Sequence, residues 1–297
     1  MRNLIKKMSA VIFSLLVSII TACSSTSFKS EPEYCATRYP VILVHGIGFR
    51  DTALLVRYWG DIPDVLKQNG AVVYTGGQDA YGIIADNAAV LKKKVLEVLA
   101  TTKSRKVNII AHSRGGIEAR YMISLLGMKD KVASLTTIAT PHRGSSMADL
   151  IMKKMNDSGP IPEIINFFAK IIGDRNPESY NAGLELTRES MKEFNIKVPD
   201  APGVYYQSYA AVIDGSFPNL VWRQMYSIIN EYEGANDGLV SVDSAKWGNY
   251  RGLMTCDGIY RASHIDAVGM HFLTGVYCFD APGFYRGLVH ELKLKGF

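Results

Sequence analysis

Apolar runs and amphipathic segments alternate along the first half of the chain. The apolar runs have strand length and are rich in Val and Ile, whereas the segments between them repeat their apolar residues at helical spacing. The predicted strands are Tyr39–Val44, Ala71–Tyr74, Val107–Ala111 and Val132–Ala139, and the predicted helices are Ile84–Ala100 and Gly115–Leu126. Strands that alternate with helices favour an α/β fold, with a mainly parallel central sheet and helices on both of its faces.

This alternation is interrupted after Thr140. Residues 145–198 have a largely helical pattern, the window 161–172 is strongly apolar, and a strand pattern resumes at Val204–Val212. We therefore expect a helical insert between two strands of the sheet. Two interpretations stay open for it, a mobile lid or a cap that packs permanently on the core.

The segment Ala111-His112-Ser113-Arg114-Gly115-Gly116 joins a predicted strand to a predicted helix. A sharp turn with small residues two positions before and after a serine, between a strand and a helix, is typical of a nucleophile elbow. Such a turn raises the serine hydroxyl above the sheet and points the next backbone amide at a developing oxyanion. The pattern predicts Ser113 as a nucleophile and the Arg114 amide as an oxyanion donor.

A serine nucleophile needs a base, and the base needs an orienting carboxylate. In hydrolases with this elbow, the acid and then the histidine follow the serine in sequence. Among the late histidines, His264 lies in a polar loop, His271 lies among apolar residues, and His290 lies in a terminal helix-like segment with charged neighbours. His264 is therefore the predicted base.

The predicted acid is Asp237, in the tight loop 234–240. Asp214, Asp243 and Asp257 are weaker competitors. A second oxyanion donor is expected after the first strand, in His45-Gly46-Ile47-Gly48, where the two glycines let the backbone turn and point the Ile47 amide inward. We interpret His45 and His112 as braces of their loops.

The N-terminus differs in character from the rest of the chain. Arg2, Lys6 and Lys7 precede an apolar run over 11–20 and then Ile20-Thr21-Ala22-Cys23, which matches a lipobox. We expect a lipoprotein signal peptide over 1–22, lipidation of Cys23 and a polar tether over 23–38; a plain secretion signal is the alternative. The protein would then be exported and membrane-anchored, at the outer membrane or cell surface.

Composition narrows the function classes. The 297 residues are 47% hydrophobic, enough for one well-buried domain, which we place at 39–297. The formal net charge of +5 includes the three N-terminal cations, so the expected mature chain is nearly neutral and argues for no nucleic-acid partner. Export permits a disulfide, and Cys256 with Cys278 would bracket the segment holding His264, leaving Cys35 unpaired.

Five motifs, in this order, resemble the bacterial family I true lipases of the α/β-hydrolase superfamily, over about Tyr39 to Gly269. The motifs are Val44-His45-Gly46, Ala111-His112-Ser113-Arg114-Gly115-Gly116, Thr140-Pro141-His142-Arg143-Gly144-Ser145, Asn236-Asp237-Gly238-Leu239-Val240 and Ser263-His264-Ile265-Asp266. The resemblance implies Ser113 as nucleophile, Asp237 as acid, His264 as base, and the amides of Ile47 and Arg114 as oxyanion donors. The insert resembles the family lid in position and helical character, and not closely in sequence.

The resemblance also bears on cofactors. Some members of the family bind a structural calcium through an aspartate two residues after the catalytic histidine, here Asp266, and a second aspartate well upstream. Asp214 lies near that second place but in no matching motif. We expect no cofactor and no metal at the catalytic site, and leave a structural calcium near Asp266 open. No His/Cys cluster has zinc spacing, and the sequence contains no glycine-rich phosphate loop.

These residues predict a serine carboxylic-ester hydrolase that acts on triacylglycerol or other long-chain acyl esters through an acyl-enzyme. One alternative is a phospholipase A1 or acyltransferase on envelope lipids, for which a basic rim of Lys153, Lys154, Lys170 and Arg175 could bind head groups. Another is a carboxylesterase for short esters. A remote alternative is a non-catalytic surface lipoprotein that binds ligands. The expected partners are a lipid or ester substrate and the membrane; the oligomeric state stays open.

Overall fold

A six-stranded, all-parallel sheet forms the centre of the structure. The computed structural model describes residues 31–48, 52–53, 56–156, 177–255 and 262–297. The strands of these residues are β1 (Val41–Val44), β2 (Thr52–Ala53), β3 (Val56–Arg57), β4 (Val73–Thr75), β5 (Val107–His112), β6 (Val132–Ile138), β7 (Tyr205–Ala211) and β8 (Asn249–Met254). The sheet order is β4-β1-β5-β6-β7-β8, and β2 and β3 form a separate antiparallel pair. The predicted parallel α/β sheet is confirmed.

Helices cover both faces of the sheet. They are α1 (Ile62–Gln68), α2 (Ile84–Thr102), α3 (Arg114–Leu125), α4 (Ser146–Asn156), α5 (Pro177–Leu184), α6 (Arg188–Lys197), α7 (Leu220–Glu233), α8 (Val242–Ala245) and α9 (Ala281–Leu294). Short 3-10 turns occupy Lys129–Lys131, Asp266–Val268 and His271–Leu273.

The central strands are buried on both faces, which is why they are continuous apolar runs. Side chains alternate across a strand, so Val41 and Leu43 of β1 enter one core with α1, α7 and α9, while Ile42 and Val44 enter the other with α2 and α3. All four are fully buried. Each such side chain contributes about 1.5–3 kcal/mol relative to an exposed one, so the two cores fix the sheet and the loops at its edge.

The described part of the insert is helical, and it packs against the turn that follows β6. Helices α4, α5 and α6 lie between β6 and β7, and the apolar window 161–172 lies outside the described residues. The insert is tied together by an ion pair between Arg188 and Asp149 (2.5 Å). At Gly144, with φ of +77°, an added Cβ would lie 2.6 Å from the Arg188 backbone, so this turn requires glycine.

Residues 31–38, which the sequence analysis assigns to the tether, make contacts with the rest of the described chain. Cys35 is fully buried, and the Tyr34 ring stacks on His290 of α9 with ring centroids 3.9 Å apart. The expected signal peptide, Cys23 and the first part of the tether lie outside the described residues. No helix of the described ranges is both long enough and apolar enough to span a membrane.

The two described cysteines differ in state. Cys35 is a free thiol, and burial raises its pKa to about 11. Cys278 is disulfide-bonded. Cys256, which the sequence suggests as its partner, lies outside the described residues.

Candidate active site

Ser113 occupies a strained turn between β5 and α3. Its φ of 54° and ψ of −134° are unusual for a residue with a side chain. The turn is tight because neighbouring backbone passes close to it: a Cβ added to Gly115 would lie 2.4 Å from the His45 carbonyl oxygen, and one added to Gly46 would lie 2.7 Å from Ser113 Cβ. This is the predicted elbow, and its glycines are required by close approach.

A hydrogen-bonded chain joins the three predicted side chains. His264 Nε2 lies 2.9 Å from Ser113 Oγ, and His264 Nδ1 lies 2.8 Å from Asp237 Oδ2. All three residues are buried. The serine and the histidine are separated by 151 positions in sequence, so the fold alone brings them together. In this geometry the histidine can accept the serine proton while the carboxylate holds the ring.

The loop that carries Asp237 is built around its carboxylate. Oδ1 accepts hydrogen bonds from the Leu239 and Val240 amides (2.9 and 2.7 Å), which leaves Oδ2 for the His264 ring. The Asp237 carbonyl also accepts from the His264 amide at 3.0 Å. Acid and base are thus held by both side chain and backbone.

The competing side chains have other partners. His271 bonds to Asp266 (Nδ1–Oδ1 3.1 Å), and His290 bonds to the Tyr34 carbonyl (2.8 Å). Asp243 lies at the surface, where a hydrogen bond from Lys246 lowers its pKa. Asp214 accepts from the amide and hydroxyl of Ser216. Asp257 lies outside the described residues.

The two expected oxyanion donors lie on the two loops that meet at the nucleophile: Ile47 follows Gly46, which approaches Ser113 closely, and Arg114 follows Ser113. Ile47 lies in the loop after β1, where its amide donates to no other group of the described chain. Arg114 is the first residue of α3, so its amide has no acceptor within the helix. The neighbouring amides of the first loop are already used: Gly46 donates to the Tyr58 hydroxyl (2.9 Å) and Gly48 to the Ala80 carbonyl (2.9 Å).

The histidine before the nucleophile is neutral. Burial, together with the nearby His264, lowers the pKa of His112 well below its ordinary value. Its Nε2 lies 3.0 Å from the His264 carbonyl and its Nδ1 lies 2.6 Å from the Tyr58 hydroxyl. His45 contacts the carbonyls of Gly46 and Gln78. Both histidines brace loops in this structure.

Two glutamates beside the site were not identified from the sequence. Glu185, in the turn directly after α5, pairs with the Arg114 side chain (Oε2–Nη2 3.1 Å). Glu233 at the end of α7 accepts from the Ser146 amide and the Ser241 hydroxyl, both at 2.6 Å, and so joins the first insert helix to the loop after Asp237. No local pattern marks either residue, because the contacts with Arg114 and Ser146 join segments 71 and 87 positions apart.

Hydrogen-bond donors contact both oxygens of the Asp266 carboxylate. Its Oδ2 accepts from the Ser263 amide (3.1 Å) and hydroxyl (2.6 Å), and its Oδ1 accepts from Thr274 Oγ1 (2.8 Å) and lies beside His271. Calcium is bound by six to eight oxygen ligands, whereas donors surround this carboxylate. Asp214 bonds to Ser216, and the described ranges contain no group of three His, Cys, Asp or Glu side chains suited to a metal.

A parallel sheet, a nucleophile elbow and a Ser–His–Asp chain in this order define an α/β-hydrolase. A family model described as palmitoyl protein thioesterase matches residues 40–177. The chain is 33% identical to triacylglycerol lipase 2 of Saccharomyces cerevisiae, over 82% of this chain and 76% of that protein. It is 31% identical to a triacylglycerol lipase of Vibrio cholerae, over 96% and 97% of the two chains.

Solved structures agree on the fold. A mature Bacillus licheniformis lipase superposes with a TM-score of 0.65 at 22% identity, over 86% of this chain and 92% of that one. Staphylococcus hyicus lipase superposes with a TM-score of 0.64 at 17% identity, over 90% and 99%. The chain belongs to the triacylglycerol lipase family, and it is a hydrolase of the lipase or carboxylesterase kind.

Proposed function

We propose that this protein hydrolyses long-chain acyl esters, with triacylglycerol as the principal substrate, through an acyl-enzyme on Ser113. The observation that carries the proposal is the hydrogen-bonded chain from Ser113 through His264 to Asp237. A chain of these three groups, in this order, activates a serine for acyl transfer.

In the proposed reaction, His264 Nε2 takes the Ser113 proton as Oγ attacks the ester carbonyl. The Ser113 oxygen–carbon bond forms while the carbonyl oxygen becomes an oxyanion, which accepts hydrogen bonds from the Ile47 and Arg114 amides. Asp237 stabilises the imidazolium at Nδ1. His264 then protonates the leaving alkoxide, and water repeats the cycle on the acyl-enzyme to release the fatty acid.

The preference for long acyl chains is supported by the relatives, which are triacylglycerol lipases, and by apolar side chains around the site. The start of α7 packs against the acid loop, since a Cβ added to Gly238 would lie 2.6 Å from Trp222. Asn219, which caps α7, donates to the Thr274 carbonyl in the segment after His264 (3.1 Å). Exposed apolar side chains project from these two segments: Leu220, Val221, Leu273 and Tyr277. Such a rim suits an acyl chain or a lipid surface.

The proposal is tested with p-nitrophenyl esters from acetate to palmitate and with emulsified triolein, on the wild-type protein and the Ser113→Ala variant. We expect activity to be highest on long chains, to extend to triolein and to be lost in the variant. Activity confined to short esters would make the protein a carboxylesterase with a fixed cap. Hydrolysis of phosphatidylcholine vesicles in place of triolein would favour the phospholipase alternative, and failure of a fluorophosphonate to label Ser113 would favour the binding role.

We further propose that the protein is an exported lipoprotein anchored through Cys23, which the lipobox pattern supports. Two or three acyl chains hold a protein at a membrane, whereas one chain binds it only marginally. Metabolic labelling with radioactive palmitate is expected to mark the wild-type protein and not the Cys23→Ser variant. Equal labelling of the two proteins would contradict lipidation at Cys23.

A further inference from the structure

Tyr58 makes hydrogen bonds to two of the loops that meet at Ser113. Its hydroxyl lies 2.9 Å from the Gly46 amide, next to Ile47 in the first loop, and 2.6 Å from Nδ1 of His112, next to the nucleophile. His112 in turn contacts the His264 carbonyl through Nε2 (3.0 Å). A continuous chain of hydrogen bonds therefore runs from the expected oxyanion loop to the backbone of the expected base.

Every proton in this chain can be assigned. The His264 carbonyl can only accept, so Nε2 of His112 carries the hydrogen. His112 is neutral, because burial and the neighbouring His264 lower its pKa, so its Nδ1 holds a lone pair. The Tyr58 hydroxyl must then donate to Nδ1, and its oxygen accepts from the Gly46 amide. One tautomer of His112 satisfies all three contacts, and the other would point a lone pair at the carbonyl.

A neutral His112 avoids charge repulsion with the His264 ring. Its ring centroid lies 4.5 Å from that of His264. Since His264 becomes an imidazolium during the proposed reaction, a second positive ring at this distance would oppose proton transfer. The Tyr58 hydroxyl, by donating to Nδ1, favours the neutral ring.

We propose that Tyr58 and His112 are positioning residues for this reaction: they fix the Ile47 amide and the His264 imidazole relative to Ser113. The inference rests on the proposed function. His264 is held at both ends of its backbone, since its amide donates to Asp237 and its carbonyl accepts from His112. The first loop crosses so close to the nucleophile that Gly46 admits no side chain there. A small shift of either loop changes the distances on which acyl transfer depends.

The experiment compares Tyr58→Phe with Tyr285→Phe. Both tyrosines are buried, and they differ in that the Tyr285 hydroxyl has no hydrogen-bond partner among the described residues. Tyr58→Phe is expected to lower kcat on p-nitrophenyl palmitate by about 10-fold to 100-fold, with KM within about twofold of the wild type. Tyr285→Phe is expected to leave kcat and KM within about twofold, because it removes no hydrogen bond. Equal kcat values for the two variants would overturn the inference. A higher KM for Tyr58→Phe with an unchanged kcat would also overturn it.

A spectroscopic measurement on the wild-type protein decides the tautomer even where Tyr58→Phe does not fold. A long-range proton–nitrogen correlation spectrum of histidine-labelled protein, with His112 assigned by a His112→Gln variant, is expected to show hydrogen on Nε2 and none on Nδ1 at neutral pH. A hydrogen on Nδ1 would overturn the inference. The proposed function is tested separately. It fails if the Ser113→Ala variant still hydrolyses esters. If Ser113→Ala is inactive and Tyr58→Phe has the kcat of the wild type, only the positioning role is overturned.

Discussion

Glu185 in the insert forms an ion pair with Arg114, the residue that follows Ser113. Glu185 Oε2 lies 3.1 Å from Arg114 Nη2, and the same nitrogen donates to the Gly82 carbonyl. The Arg114 side chain is almost fully buried, and a second carboxylate, Glu118, lies 3.5 Å from its Nε. The insert is thus bonded to the residue whose amide is the expected oxyanion donor. The turn after α5 therefore helps to support the elbow.

Replacing Glu185 with glutamine is expected to destabilise the protein by about 1–2 kcal/mol. Removing one partner of a buried pair leaves the guanidinium with less compensation, and the partial exposure of Glu185 reduces the loss. The free energy of unfolding in urea measures the change. Glu193→Gln is the matched control, because Glu193 forms an exposed pair with Lys197 and its loss is expected to cost no more than about 0.5 kcal/mol. Equal losses for the two variants would contradict the supporting role of Glu185.

Glu118 is expected to make stability depend on pH. It is buried, and burial raises its pKa above the ordinary 4.5, against the opposing effect of Arg114. The folded state therefore holds this proton more tightly than the unfolded state. As pH rises above 4.5, the unfolded chain loses the proton first, so the contribution of Glu118 to stability falls until the pH exceeds the raised pKa.

The Glu118→Gln variant removes this dependence. The free energy of unfolding in urea is measured for wild type and variant between about pH 4.5 and pH 8. As pH rises, the wild-type protein is expected to lose stability relative to the variant. The site accommodates the amide: Gln78 Nε2 donates to Glu118 Oε2, and Gln78 Oε1 has no partner among the described residues, so rotation of the Gln78 amide offers an acceptor. A difference that stays constant with pH would contradict the argument.

Asp237→Asn is expected to lower kcat by about 10³–10⁴ with little change in fold. The Asn oxygen can still accept from the Leu239 and Val240 amides, but its amide group would face His264 Nδ1 and favour the wrong tautomer. Steady-state hydrolysis of p-nitrophenyl esters measures the loss. Asp243→Asn is the control, because Asp243 lies at the surface paired with Lys246, and we expect wild-type kcat from it. An active Asp237→Asn protein would remove Asp237 from the proposed mechanism.

The strands whose pattern is set by burial on both faces are predicted correctly from the sequence. Strands β1, β5 and β6 are buried along their whole length and are dominated by apolar and small residues, and this pattern is visible without the fold. The edge strand β8 alternates between exposed and half-buried residues up to its buried last residue, so no continuous apolar run marks it. The pair β2 and β3 has two residues in each strand, too few to form any period.

The candidate site was predictable where short contiguous motifs carry its chemistry. Ser113, Asp237 and His264 each lie in a tight polar loop after an ordered element, and the structure brings all three together. Tyr58 was missed because its contact with His112 spans 54 positions and leaves no local pattern. Glu185 was missed for the same reason, since 71 positions separate it from Arg114. Contacts that support a site from a distance require the fold.

The loop after His264 is expected to need no calcium. Asp266 is buried and its oxygens accept hydrogen bonds from Ser263 and Thr274, so direct protein contacts hold the loop in this structure. Thermal unfolding and ester hydrolysis are therefore expected to be the same in EDTA and in millimolar calcium. Thr274→Val, which leaves Asp266 Oδ1 with one donor fewer, is expected to destabilise the protein by about 1–3 kcal/mol in either condition. A Tm that rises with calcium in the wild-type protein would show that Asp266 exchanges these donors for the ion, and would contradict the prediction.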